Sequence, residues 1–165
     1  MYKGKGNFLE CSNYHTIKLL EHGIKVVERV FEKRLRKMVE IREEQYRFVA
    51  GKGTTDVIFI LRHLKEKYLK NDKELYLVFV DLEKAFDSVL RVLIENSLRR
   101  KGVVECYVKA VMKMYKEVLS QMKVEGEDSR EFVVRVGIHQ GSVLSPFIFA
   151  VVMDVVKEEY GCSLV

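Results

Sequence analysis

The chain has 165 residues, 48% of them hydrophobic and 32% charged, enough for one sizeable core and near the usual size of one domain. No apolar run reaches the roughly 18 residues of a membrane span, and the N-terminus MYKGKGNFLE has no apolar signal segment. Cys11, Cys106 and Cys162 are odd in number and far apart, which excludes a disulfide framework and a zinc knuckle and points to an intracellular, non-secreted protein of nucleus or cytoplasm.

The net charge of +5 is local. Residues 1 to 53 hold 12 Lys and Arg against 7 Asp and Glu, and the remainder holds 17 against 17. A basic first third is what a surface facing phosphates needs, and a solvated helix face has the same composition.

In chain order, apolar residues recur from Ile24 through Val27, Val30, Phe31, Leu35 and Met38, which predicts a helix backed by Arg29, Lys33, Arg34 and Lys37. Thr54 or Thr55 is placed to cap a second helix with Ile58, Leu61, Leu64 and Tyr68 on one side. LYLVFV, residues 75 to 80, is apolar without alternation and predicts a central strand covered on both faces. Ser88 then reads as the cap of a helix closed by Gly102. Val104, Tyr107, Val108, Val111, Tyr115 and Val118 mark another helix. SQMKVE and EFVVRV around GEDS predict a hairpin, and Ser145 with Pro146 predicts the capped start of an apolar helix running to about residue 159. The expected fold class is α+β with helix exceeding strand.

Two segments carry candidate chemistry. FVDLEKAFD puts Asp81, Glu83 and Asp87 directly after the apolar run, where a carboxylate suits Mg²⁺, a cation that prefers hard oxygen donors. An acid in that position is also a common helix cap or loop residue. HQGSVLSPFIFA sets His139 and Gln140 before Gly141, which lets backbone approach a flat ligand. Gln140 offers both a donor and an acceptor, although the string also reads as a plain loop into a helix cap.

FVDLEKAFD followed some fifty residues later by HQGSVLSPF resembles the reverse transcriptase palm. The flanks YKGKGN, CSNYHTIKLLEHGIKVVERV, EKRLRKM and GKGTTDVIFILRHL resemble the fingers of non-LTR (LINE-type) retrotransposon polymerases. The resemblance implies a helix-rich right-hand polymerase piece, with fingers over about 1–73 and an incomplete palm sheet over about 74–165. It implies RNA-directed DNA polymerase chemistry on dNTP, with an RNA template and a DNA primer. Asp81 matches the first catalytic, Mg²⁺-binding aspartate, and Phe86 the bulky residue that excludes a ribose 2′-hydroxyl. Gln140 and Gly141 match the loop against the incoming nucleotide, Lys3 or Lys5 a lysine near the triphosphate, and Asp87 a recurrent acid with a structural part.

The sequence departs from the family where His15 stands in place of an arginine that neutralises triphosphate, and histidine cannot make arginine's bidentate fork. Arg47 and Lys52 stand where the family favours Gly and Arg. The family's aromatic–small–Asp–Asp motif does not occur in these 165 residues. The reading that follows is a polymerase fragment without activity of its own, against two alternatives: a non-catalytic nucleic-acid-binding module, or a partner-binding remnant that self-associates through an unpaired sheet edge.

Overall fold

The computed structural model describes residues 20–116, 119–121, 123–124, 127–128 and 130–160. Helix α1 spans His22–Leu35. Phe31 and Leu35 face inward as expected, but Ile24, Val27 and Val30 are exposed, and Glu28 is buried in their stead. The helix is turned toward Glu28 because that carboxylate has partners inside, described below. Arg36, just past α1, donates to the Phe48 carbonyl at 3.2 Å and lies 4.9 Å over the Phe147 ring, which folds the following loop back onto the core.

Helix α2 covers Thr54–Lys70. Its cap is Gly53 rather than a threonine, because the Asp56 carboxylate reaches back to accept the Gly53 N–H at 2.7 Å. Val57, Ile60, Leu61, Leu64 and Tyr68 form its half-buried stripe. Ile58, expected there, is 59% exposed.

The expected central strand is absent. Residues 75–80 form no ladder, and Tyr76, Val78 and Phe79 are 82%, 81% and 79% exposed. A strand covered on both faces needs hydrogen-bonded neighbours and a layer on each side. The strand pairs among the described residues are all in the hairpin, so the run has the composition of a core strand without its neighbours.

The single helix expected from Ser88 to Gly102 is two. Helix α3 is one turn, Ala85–Ser88, and α4 covers Arg91–Arg100 with Leu90 as its N-cap. Val89 leaves helical geometry between them to offer its carbonyl to Gly137 N–H at 2.9 Å. The stop at Gly102 is as expected. Gly102 takes φ +75° and donates to Arg99 O, Val103 donates to Leu98 O, and Leu98 and Val103 are both buried, which completes a Schellman closure.

Helix α5 is Glu105–Tyr115, with Val108, Val111 and Tyr115 buried; Val104 is its exposed N-cap, and Val118 lies outside the described residues. The hairpin forms in two short ladders. β1 (Leu119–Ser120) pairs antiparallel with β4 (Phe132–Val133), and β2 (Lys123–Val124) with β3 (Glu127–Asp128). Glu127 and Asp128 therefore belong to a strand, not to the turn.

Helix α6, Ser145–Tyr160, is the centre of the fold. Its residues from Phe147 to Val152 are all buried, as in a helix enclosed on every side. It packs on α4, which also packs on α5. Charge fixes its far end: Lys101 pairs with fully buried Asp154 at 2.5 Å, and Arg100 pairs with exposed Glu159 at 2.7 Å. The described residues thus form a helix-rich α+β unit, and none of their helices is long and apolar enough to cross a membrane.

Removing one partner of a buried ion pair strands the other charge, whereas an exposed pair is screened. Asp154→Ala should lower the urea-unfolding free energy by about 3 kcal/mol, and Arg100→Ala by less than about 1 kcal/mol.

Candidate functional site

Asp81, Leu82 and Glu83 lead from the exposed apolar run into α3 through Lys84, whose φ of +49° is left-handed. That reversal places the turn of α3 against the loop before α6. Ile138 N–H donates to Phe86 O at 2.8 Å, and Gly137 N–H to Val89 O. The approach is close enough that a Cβ on Gly137 would lie 2.9 Å from Asp87 O, and Gly137 has φ +88°. Only glycine meets both conditions without displacing backbone.

Side chains extend the junction. Gln140 Nε2 donates to Asp87 Oδ1 at 3.0 Å. Phe86, half-buried, stacks on Phe149 at 4.8 Å and 12° and meets Phe48 edge-on at 5.8 Å. The result is a cleft of about 570 Å³ with residues 81–87 on one wall and His139–Ser142 on the other. Asp81 is exposed at this cleft, Gly141 (φ +101°) forms part of its rim, and Phe86 lines it from a fixed ring orientation. Asp81, Phe86, Gln140 and Gly141 are thus brought together, while Lys3, Lys5 and His15 lie outside the described residues.

Adjacent residues of the loop divide their work. His139 turns inward, 8% exposed, with its ring 4.6 Å from that of Tyr115. Tyr115 and Ser145 hydroxyls hydrogen-bond at 3.2 Å, and burial pushes the phenol pKa up to about 12. Ser145 is therefore not the cap expected from sequence. The Ser142 hydroxyl oxygen accepts from Leu144 and Ser145 N–H at 3.1 and 3.2 Å.

Sequence reasoning missed Glu28. Its carboxylate, 3% exposed, accepts from Ser142 Oγ at 2.8 Å and from Val143 N–H at 3.0 Å. The available signal was its place on one helix face with Phe31 and Leu35, at spacings of three and seven. Among the described residues no three His, Cys, Asp or Glu side chains gather closely enough to hold a metal ion. Asp81, Glu83 and Asp87 share the cleft without forming a cage.

The model of the family described as "Reverse transcriptase (RNA-dependent DNA polymerase)" matches residues 3–162. The chain belongs to the reverse transcriptase family. It is 28% identical over 160 residues, 96% of its length, to a retrovirus-related Pol polyprotein from type-1 retrotransposable element R2 of Popillia japonica. It is 29% identical over 135 residues, 79% of its length, to the Pol polyprotein of type-2 retrotransposable element R2DM of Drosophila melanogaster. A probable RNA-directed DNA polymerase from transposon BS of the same fly is 30% identical over 146 residues, 84% of the chain. The chain spans 22%, 12% and 16% of these proteins' own lengths. Reverse transcriptases generally use a divalent metal, and these relatives place the chain with the non-LTR retrotransposon kind.

Two glycines with similar φ separate the causes of strain. Gly137→Ala adds contact with Asp87 O to the left-handed cost and should destabilise by about 3 kcal/mol in denaturant titration; Gly102→Ala, with open space around its Cβ position, should cost about 1 kcal/mol. Tyr115 has a folded pKa above its unfolded value, so its contribution is whole below pH 10 and is lost as pH rises toward 12. Absorbance titration should show one tyrosine ionising near pH 12 that is missing in Tyr115→Phe.

Proposed function

We propose that the cleft is the nucleotide side of a template-directed polymerase site, with residues 1–73 fingers-like and residues 74–165 a partial palm. The reaction of such a site is addition of a dNTP to a DNA primer on an RNA template. What supports this reading is the shared cleft: segments fifty residues apart contribute Asp81, Phe86, Gln140 and Gly141 to one set of walls.

Asp81 is the assigned Mg²⁺ ligand. Mg²⁺ commonly takes one or two carboxylates and completes its shell with phosphates and water, so Asp81 would hold it together with triphosphate oxygens or further carboxylates. The bound ion supplies charge stabilisation at the triphosphate. Phe86 excludes a ribose 2′-hydroxyl, and its clamping between Phe149 and Phe48 suits that role, because a gate that yields does not discriminate. Gln140 and Gly141 lie against the nucleotide, with Lys3 or Lys5 and His15 toward the triphosphate. The exposed Arg29 and Lys33 on α1, with Lys37 in the turn just past it, give the template–primer a phosphate-binding face. Such work belongs in the nucleus or cytoplasm.

A second reading, association between copies, is favoured by the exposed apolar run Tyr76–Val80, whose backbone has no ladder partner among the described residues.

The purified chain should extend a primer in Mg²⁺ or Mn²⁺ no faster than its Asp81→Asn variant, because a lone carboxylate forfeits several kcal/mol of charge stabilisation and each ~1.4 kcal/mol is tenfold in rate. Extension clearly above the Asp81→Asn level would overturn that expectation. Sedimentation with an oligonucleotide should show binding that weakens steeply with salt, and binding indifferent to salt would sink the phosphate-facing assignment. The oligonucleotide-free sample of the same run reads self-association directly.

A further inference from the structure

The turn at Gln140–Gly141 is held from two directions. On one side Gln140 donates to Asp87, and on the other Glu28, from 114 residues earlier, accepts from Ser142 Oγ and Val143 N–H. We infer that Glu28 is a positioning residue, which fixes the Gln140–Gly141 turn in the cleft by anchoring the two residues that follow it.

A helix cap alone does not account for it. The start of α6 already has a local cap, since Ser142 Oγ accepts from two N–H groups. Glu28 adds an outer layer by orienting that hydroxyl and taking the Val143 N–H as well. Stability does not account for it either. Burying a carboxylate costs several kcal/mol in lost hydration, against which stand two hydrogen bonds from neutral donors and the positive end of a helix dipole. A leucine on the Phe31–Leu35 face would avoid burying a charge, at the smaller cost of leaving the Ser142 hydroxyl and the Val143 N–H without this acceptor.

What a buried, doubly hydrogen-bonded carboxylate adds is geometry. Its two oxygens fix distance and direction to two successive residues, where an apolar contact would let the loop slide. With Asp87 holding Gln140 from the opposite wall, the turn is fixed at both ends and Gly141 between them is free to keep its φ of +101°. Because Glu28 sits on α1 beside exposed Arg29, the helix with the basic face is also the one that sets the turn. That the turn faces a nucleotide rests on the function proposed above; that Glu28 anchors it does not.

The test is amide hydrogen exchange of the 165-residue chain by NMR, with urea unfolding in parallel. Glu28→Leu unpairs the Ser142 hydroxyl and the Val143 N–H and should lower unfolding stability modestly, while exchange at Val143 N–H accelerates about tenfold or more and by clearly more than that of the deep amides of α6. Glu28→Gln, which retains one acceptor oxygen, should give an intermediate acceleration and serves if the leucine variant does not fold. The Gln140 side-chain NH₂ resonance should shift in both variants. Unchanged exchange at Val143, or acceleration that matches the α6 amides in proportion, would overturn the inference. No nucleotide is present, so a failure here is distinct from a failure of the polymerase reading, which is judged by extension and binding.

Discussion

Two backbone hydrogen bonds, Ile138 N–H to Phe86 O and Gly137 N–H to Val89 O, join segments that the chain separates by fifty residues. Without them the acidic segment and the Gln–Gly loop are two surface turns. With them they are the walls of one cleft. The contact is between main chains, so it excludes any Cβ at Gly137 and forces Val89 out of helical geometry. The break between α3 and α4 is the local cost of that junction, and it leaves α3 a single turn whose residues, Phe86 and Asp87 among them, face the loop.

Helix α6 supports the loop from behind. It is enclosed by apolar neighbours over Phe147–Val152, fixed at its far end by Lys101 on Asp154, and held at its start by Ser142 and Glu28. Each device acts on a different part of the helix, so the position of its first turn is set independently of apolar packing. Phe149 on the same helix stacks on Phe86. The cleft floor and the loop therefore share one rigid support, the arrangement needed where a ligand is to be measured against a fixed wall.

The exposed run Tyr76–Val80 leads into this site and differs from it in kind. Its side chains have the composition of a buried strand, and among the described residues no strand pairs with its backbone. The described helices are completed by side-chain packing against other helices and loops, as where Phe31 of α1 meets Tyr107 of α5. A sheet strand is completed only by other strands, so its state depends on partners that its own residues do not specify.

Local periodicity determined where helices form and the motif order determined the family, whereas the N-caps expected at Thr54 or Thr55, Ser88 and Ser145 fall to Gly53, Leu90 and Ser142. The stop at Gly102 is legible because a left-handed residue followed by an apolar one closes a helix within six residues. The joining of Asp81, Phe86, Gln140 and Gly141 in one cleft was implied by resemblance, while the hydrogen bonds that achieve it were not. Tertiary structure alone decided that Glu28 faces inward while Ile24 and Val27 face out, that Ser142 rather than Ser145 caps α6, and that residues 75–80 stand uncovered. Glu28 and Ser145 are turned by partners far away in sequence, Ser142 and Tyr115, and the run 75–80 is left without a strand neighbour among the described residues; periodicity reports which face a residue occupies but not what waits opposite it.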